Sequence, residues 1–155
     1  MKKILLAYGA LIIVVLALAY FKFNGNFFPS LSTPKVTIAK QTFNLTLAKT
    51  TQEKIKGLSN RKSLNQNDGM LFIFEKKGKY SFWMKDTFIP LDIIYIDNNK
   101  IVDIFKNLPP QAGNTGLLPI YTPKNDSNYV LEINGGLSEK NKFKVGDTIK
   151  FEGIK

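Results

Sequence analysis

Four side chains in this sequence of 155 residues are the candidates for chemistry: Arg61, Trp83, Asp92 and Glu132. Arg61 is the only arginine among 22 basic residues, where every other cation is Lys. A planar guanidinium fork grips a carboxylate or an anionic ligand in a bidentate way that an ammonium cannot. Asp92 opens the run Leu91-Asp92-Ile93-Ile94-Tyr95-Ile96, and Glu132 sits inside Tyr129-Val130-Leu131-Glu132-Ile133. Both runs are apolar on both faces, so each carboxylate either lies at a strand end in water or is buried and needs a partner. One reading pairs them structurally with Arg61 or Lys85. The other makes Asp92 and Glu132 an acid/base pair, since glycoside hydrolysis uses two carboxylates about 5 to 9.5 Å apart. Phe82-Trp83-Met84-Lys85 places Trp83 and Lys85 on one face of a strand. There the indole either anchors the core or stacks on a sugar or an aromatic ligand.

Other chemistries are closed to the chain. It has no His and no Cys, which removes Ser-His-Asp and Cys-His nucleophiles, His- or Cys-ligated zinc, iron–sulfur clusters and disulfides. No metal and no cofactor is expected. The formal net charge of +10 suits anionic lipid headgroups or an anionic envelope polymer or glycan. Nucleic acid is not an expected partner, because the lysines are scattered. Their tightest cluster, Lys76, Lys77 and Lys79 around Gly78, reads as a solvated hairpin turn.

The elements that must position these residues follow from periodicity. Period-two stretches at 36–39, 42–48, 70–74, 80–84, 91–96, 101–105, 129–133 and 148–151 are each bounded by Gly, Asn, Pro or Asp. Eight short strands with one or two short helices predict a mainly β domain, a compact sandwich or barrel. Asp97-Asn98-Asn99-Lys100 predicts a tight hairpin, because Asn tolerates the positive φ of primed turns. Thr50-x-x-Glu53 is a capping box for a short helix with Ile55 and Leu58 on one apolar stripe and Gly57 at its end. A second helical turn is expected over 137–141. Residues 108–128 hold four Pro and two Gly without periodicity. A loop that long either covers the sheet or acts as a lid over a ligand.

Ahead of the domain, Met1-Lys2-Lys3 precedes Ile4–Phe21, an uncharged run about 27 Å long as a helix, close to the thickness of a hydrocarbon core. The lysines before it put the N-terminus in the cytoplasm and the rest outside. The expected organisation is a membrane anchor or signal segment at 1–21, a linker at 22–34 and an extracytoplasmic β domain at 35–155. The anchor makes it a single-pass membrane protein; cleavage after Ala17-Leu18-Ala19 would instead release it.

Six blocks then add a resemblance: Gly57-Leu58-Ser59-Asn60-Arg61, Asp68-Gly69-Met70-Leu71-Phe72-Ile73-Phe74, Phe82-Trp83-Met84-Lys85-Asp86-Thr87, Pro90-Leu91-Asp92-Ile93, Leu131-Glu132-Ile133-Asn134-Gly135-Gly136 and Val145-Gly146-Asp147. In this order they resemble the domain-of-unknown-function family 192 over 36–151, with Ser59 where the family usually has Met. The resemblance implies a compact, mostly β domain, often behind a signal or membrane segment, and implies no reaction, cofactor or ligand. The expectation is therefore a non-catalytic module that binds a ligand or partner at the cell envelope. Its site would be lined by Arg61, Trp83, Asp92 and Glu132 and covered by 108–128. The alternative is a carboxylate-dependent hydrolase of envelope glycans.

Overall fold

The computed structural model describes residues 2–23 and 33–154 and separates the chain into two units, Met1–Ser32 and Thr33–Lys155. The first unit holds helix α1, Lys2–Phe23. Its composition, apolar on every side, gives it no face to turn toward a core, and its described side chains are exposed. Among the described residues no helix is long and apolar enough to cross a membrane, so the span expected over 4–21 is not shown. Most of the expected linker, residues 24–32, lies outside the described residues.

The second unit is mainly β. Its strands are β1 (Lys35–Ile38), β2 (Gln41–Ala48), β3 (Asp68–Gly78), β4 (Phe82–Trp83), β5 (Leu91–Asp97), β6 (Lys100–Leu108), β7 (Ile120–Tyr121), β8 (Ser127–Asn134) and β9 (Ile149–Glu152). Helices α2 (Thr51–Lys56) and α3 (Leu137–Lys140) are short. Seven strands form one sheet in the order β6-β5-β8-β3-β2-β1-β9, and β4 pairs with β7 in a separate ribbon. The sheet curls until its edges meet at one end. There Ile101 N–H donates to the Asp147 carbonyl at 3.0 Å, and Ile149 N–H donates to the Asn99 carbonyl at 2.8 Å. The result is a half-barrel with two apolar faces. The concave core gathers Val36, Phe43, Leu71, Ile94, Ile101, Leu131, Ile133 and Ile149. The opposite face gathers Met70, Phe72, Leu91, Ile93, Tyr95 and Val130 under Leu58 and Met84. Burial on both sides of β5 and β8 explains why those strands read as continuous apolar runs.

One pairing in the sheet determines where a site can form. β2 and β3 run parallel, with Leu45 opposite Gly69 and Leu47 opposite Leu71. Parallel neighbours cannot be joined by a tight turn and need a crossover. Residues 49–67 supply it, and they carry α2 across the outer face of the sheet. The capping box starts α2 as the sequence predicts: Glu53 N–H donates to Thr50 Oγ1 at 3.2 Å, and Thr50 N–H donates to Glu53 Oε2 at 2.8 Å. The helix stops at Gly57, whose φ of 46° is one that side chains with a Cβ rarely adopt. The Asn98-Asn99 hairpin also forms as predicted, with φ of 47° and 57°.

Several local expectations are corrected. The strand expected over 80–84 shrinks to Phe82–Trp83, because its partner is the two-residue β7 rather than the main sheet. β3 extends beyond the expected 70–74 to Gly78, so Lys76 and Lys77 lie in a strand and not at a hairpin tip. Lys77 there pairs with Asp97 at 2.7 Å. Ile55 does not share a buried stripe with Leu58; it is 71% exposed, while Leu58 packs into the outer core. Residues 108–128 are tied down by β7 and by Gln111 and Ala112 N–H groups donating to the Thr87 carbonyl at 3.0 and 3.1 Å.

Candidate functional site

Asp92 and Glu132 sit on adjacent strands but not together. In the antiparallel register of β5 and β8, Asp92 lies opposite Ile133 and Ile93 opposite Glu132. Side chains alternate along a strand, so the one-residue offset sends the two carboxylates to opposite faces of the sheet. No acid/base dyad forms between them.

Asp92 points to the inner face, where it is fully buried. Its Oδ1 accepts from Asn107 N–H at 2.7 Å and from Gly136 N–H at 2.8 Å, and its Oδ2 accepts from Ser138 N–H at 2.6 Å. The carboxylate thus caps the start of α3 from a distant strand and clamps β6 to the same corner. Gly135 lets the corner close: a Cβ there would stand 2.8 Å from the Pro90 Cβ and 2.9 Å from Asn107 Oδ1. The expected Arg61 or Lys85 partner is replaced by backbone N–H groups, which satisfy a buried carboxylate equally well.

Glu132 points the other way. It is 5% exposed and forms part of the floor of a cleft of about 500 Å³ between α2 and the outer face of the sheet. The walls are aromatic and aliphatic: Phe72, Phe74, Tyr80, Phe82, Trp83, Leu58 and Leu91. Phe72 and Phe82 meet edge to face at 4.9 Å, and Phe74 stacks on Tyr80 at 3.5 Å. Lys54 and Lys56 line the cleft from α2, with Lys54 Nζ 4.7 Å above the Phe74 ring. Glu132 Oε2 is buried and has no hydrogen-bond partner among the described residues. Burial in these apolar surroundings pushes its pKa from 4.5 up to about 8, so the carboxyl holds its proton near neutral pH. Tyr95, on the same face, is raised by its own burial first and then by the Glu132 and Asp103 carboxylates. Its hydroxyl donates to the Tyr121 carbonyl at 3.2 Å and leaves Glu132 alone.

Gly57 sets the height of the cleft over Glu132. A Cβ at that position would lie 3.3 Å from the Phe72 ring and 3.9 Å from Glu132 Oε2. The crossover thus passes within ordinary contact distance of the carboxyl, and a side chain at residue 57 is disfavoured by its positive φ and by the tight approach to Phe72. Sequence reasoning treated Gly57 as a helix stop and missed this second role. The signal was present in its nearness to the capping box, but nothing local says which side chain lies beneath.

The other two candidates are divided. Trp83 lines the cleft and is 52% exposed, with Lys85 Nζ 5.7 Å above its ring, so it is not the core anchor that a lone Trp suggests. Its strand β4 stands outside the main sheet, which leaves the indole half exposed. Arg61 is exposed and lines a second groove with Thr46, Leu47 and Met70, which shares Lys56, Gly57 and Ser59 with the Glu132 cleft, and it does not line that cleft itself. Among the described residues Arg61 makes no ion pair with Asp92 or Glu132, so the expected guanidinium grip is absent. No residue of 108–128 lines the cleft either, so the lid expected there is a structural cover beside β4.

Comparisons place this geometry among known proteins. A crystal structure of a protein of unknown function from Novosphingobium aromaticivorans is 32% identical, with a TM-score of 0.67, over 76% of this chain and 82% of the other. A crystal structure from Sinorhizobium meliloti, described as a candidate transcription regulator, is 27% identical with a TM-score of 0.67, over 78% of this chain and 93% of the other. Among curated proteins none matches. The family model DUF192, described as uncharacterised, matches residues 34–151. That match takes in the half-barrel, the crossover and the cleft, and the chain belongs to the DUF192 family.

Proposed function

We propose that this protein is a non-catalytic binding module of the cell envelope, tethered through α1, whose β domain takes a small ligand in the cleft between α2 and the sheet. One observation carries the reading: Glu132 Oε2 is buried and unpartnered at the floor of a cleft whose walls are largely aromatic and aliphatic. Leaving a buried polar group without a partner costs about 1 to 3 kcal/mol, and a ligand that supplies the partner recovers that cost. Aromatic walls with one inward polar group are the usual composition of a small-molecule site. The glycan hydrolase is disfavoured because the oxygens of Asp92 are committed to three backbone donors on the opposite face. The tether rests on the exposed apolar side chains of α1, Leu11 to Leu16 among them, which need a nonpolar environment.

Trp83 is the only tryptophan in the chain, so its indole N–H resonance reports on this cleft alone. The full-length protein is titrated with a set of neutral, anionic and cationic aromatic fragments. Binding in the cleft shifts the Trp83 indole together with the Gly57 and Ser59 amides. Fragments that bind while leaving all three unmoved overturn the assignment of the site.

A further inference from the structure

We infer that the cleft selects a small amphipathic anion: a compact apolar body with one neutral hydrogen-bond acceptor, such as a carbonyl oxygen, at the Glu132 end and a negative group at the end near Lys54 and Lys56. This deepens the reading of the cleft as a ligand site and rests on it. Two features define the class. Four of the five lining hydroxyls are already committed: Ser59 Oγ donates to the Lys85 carbonyl at 3.0 Å, Thr87 Oγ1 to the same oxygen at 3.2 Å, Tyr80 Oη to the Lys76 carbonyl at 2.6 Å, and Ser81 Oγ bonds Thr122 Oγ1 at 2.8 Å; the fifth, Thr51, lies exposed on α2. The polar group left for a ligand at the floor is the carboxyl of Glu132.

A carboxyl that keeps its proton donates its O–H, and the atom it selects is an acceptor. The charges around the cleft act in the same direction. Lys54 and Lys56 are its cationic lining residues, and Glu132 is its acidic one, so with that carboxyl neutral the field at the opening is positive. A cationic amine would have to pass two lysines and then ionise a buried carboxyl. An anion is steered inward and leaves its charge at the lysines, where water still reaches it. The titratable group interacting with Glu132 is Tyr95 on β5, while Lys54, Lys56 and Tyr80 line the same cleft without shifting the carboxyl. Tyr95 stays neutral because burial raises it further, so a change in the acceptor contact with pH belongs to Glu132.

Three probes separate the two contacts, each titrated into the full-length protein at pH 6.5 with the Trp83 indole as the readout. 4-Acetylbenzenesulfonate carries both the acceptor and the anion, 4-ethylbenzenesulfonate lacks the acceptor, and 4-methylacetophenone lacks the anion. The first binds tightest, and loss of the acceptor weakens binding by about two- to tenfold, the range of one hydrogen bond. Loss of the anion weakens it by about two- to fivefold, the upper range of an exposed ion pair.

Glu132→Leu removes the preference for the acceptor, whereas Glu132→Gln keeps it through the amide N–H. In the wild type that preference fades above pH 8, and in Glu132→Gln it does not. Replacing Lys54 and Lys56 together with Gln removes the preference for the anion alone. If 4-methylacetophenone binds as tightly as the sulfonate, or if the acceptor preference survives in Glu132→Leu, the ligand class is wrong while the site stands. The class is equally wrong if all three probes fail but other fragments shift Trp83; if no fragment of any charge shifts it, the site falls as well.

Discussion

Asp92 and Glu132 are two buried carboxylates one register step apart on neighbouring strands, and they have opposite fates. Asp92 accepts three backbone hydrogen bonds and holds a corner of the fold together. Glu132 Oε2 accepts none and keeps its proton. Burial and residue type are nearly the same for the two, so neither decides the outcome. What differs is the backbone within reach. The inner face at Asp92 is where a helix begins, and helix starts offer free N–H groups. The outer face at Glu132 is strand and aromatic ring under the turn that ends α2, where Gly57 N–H is used on the Glu53 carbonyl and Ser59 N–H on the Lys56 carbonyl. A buried carboxylate supplied with donors is structural, and one without them is available to a ligand.

The largest test of this contrast is Asp92→Asn. The substitution discards charge-assisted acceptors and turns an amide N–H toward backbone donors. Three such bonds are at stake, so the loss should reach about 4 kcal/mol in urea unfolding. A loss below about 1 kcal/mol would show that the corner does not depend on the carboxylate.

Next comes the pH dependence of Glu132. Its pKa is about 8 in the folded chain and 4.5 as the ordinary value, so the folded state holds one more proton between those limits. Stability is therefore fully present below pH 4.5 and falls as pH rises toward 8, by about 1.4 kcal/mol per pH unit from this group. Between pH 5 and 7.5 the change should be about 3 kcal/mol, and Glu132→Gln should abolish it and be the more stable protein at pH 8. Equal slopes for the two proteins would mean that Glu132 is solvated.

Gly57→Ala sharpens the comparison from the roof of the cleft. Strain at a positive φ and contact with Phe72 should cost about 1 to 2 kcal/mol. Fragment binding should weaken at the same time, because the new methyl group narrows the space over Glu132. A loss of stability with unchanged binding would place the ligand elsewhere.

The smallest effects belong to the two exposed candidates. Trp83→Ala should cost about 1 kcal/mol or less, well below the 3 to 5 kcal/mol of a buried Trp, and should weaken fragment binding. Arg61→Lys should change stability by about 0.5 kcal/mol at most, as for any solvated cation. A larger loss in the Arg61 variant would reveal a partner for the guanidinium and reopen its link to the site.

Most of the strand pattern was legible in the sequence because a half-buried strand must alternate and a turn must carry residues that tolerate its φ. Gln41–Ala48 and Ile149–Glu152 fall within one residue of the expected strands, and the Asn98-Asn99 hairpin falls where it is expected. β7 was not legible, since two residues among prolines leave no period to detect. The candidate site was half legible. Type and context picked out Glu132 and Trp83, yet the same reasoning added Arg61, because a rare residue looks special even when it stands in water.

By itself the sequence determined the class of the fold, the capped α2 with its Gly57 stop, and the need of two carboxylates in apolar strands for an explanation. Those are local properties, set by side-chain period, cap chemistry and the cost of burying charge. Only the tertiary structure decided which carboxylate was answered from within the protein. That depended on a register step between β5 and β8, on the parallel crossover that carries α2 over one face and on α3 starting at the other. Partners 15 to 46 residues away along the chain leave no local trace, because the alternation of a strand names two faces without saying what will cover each.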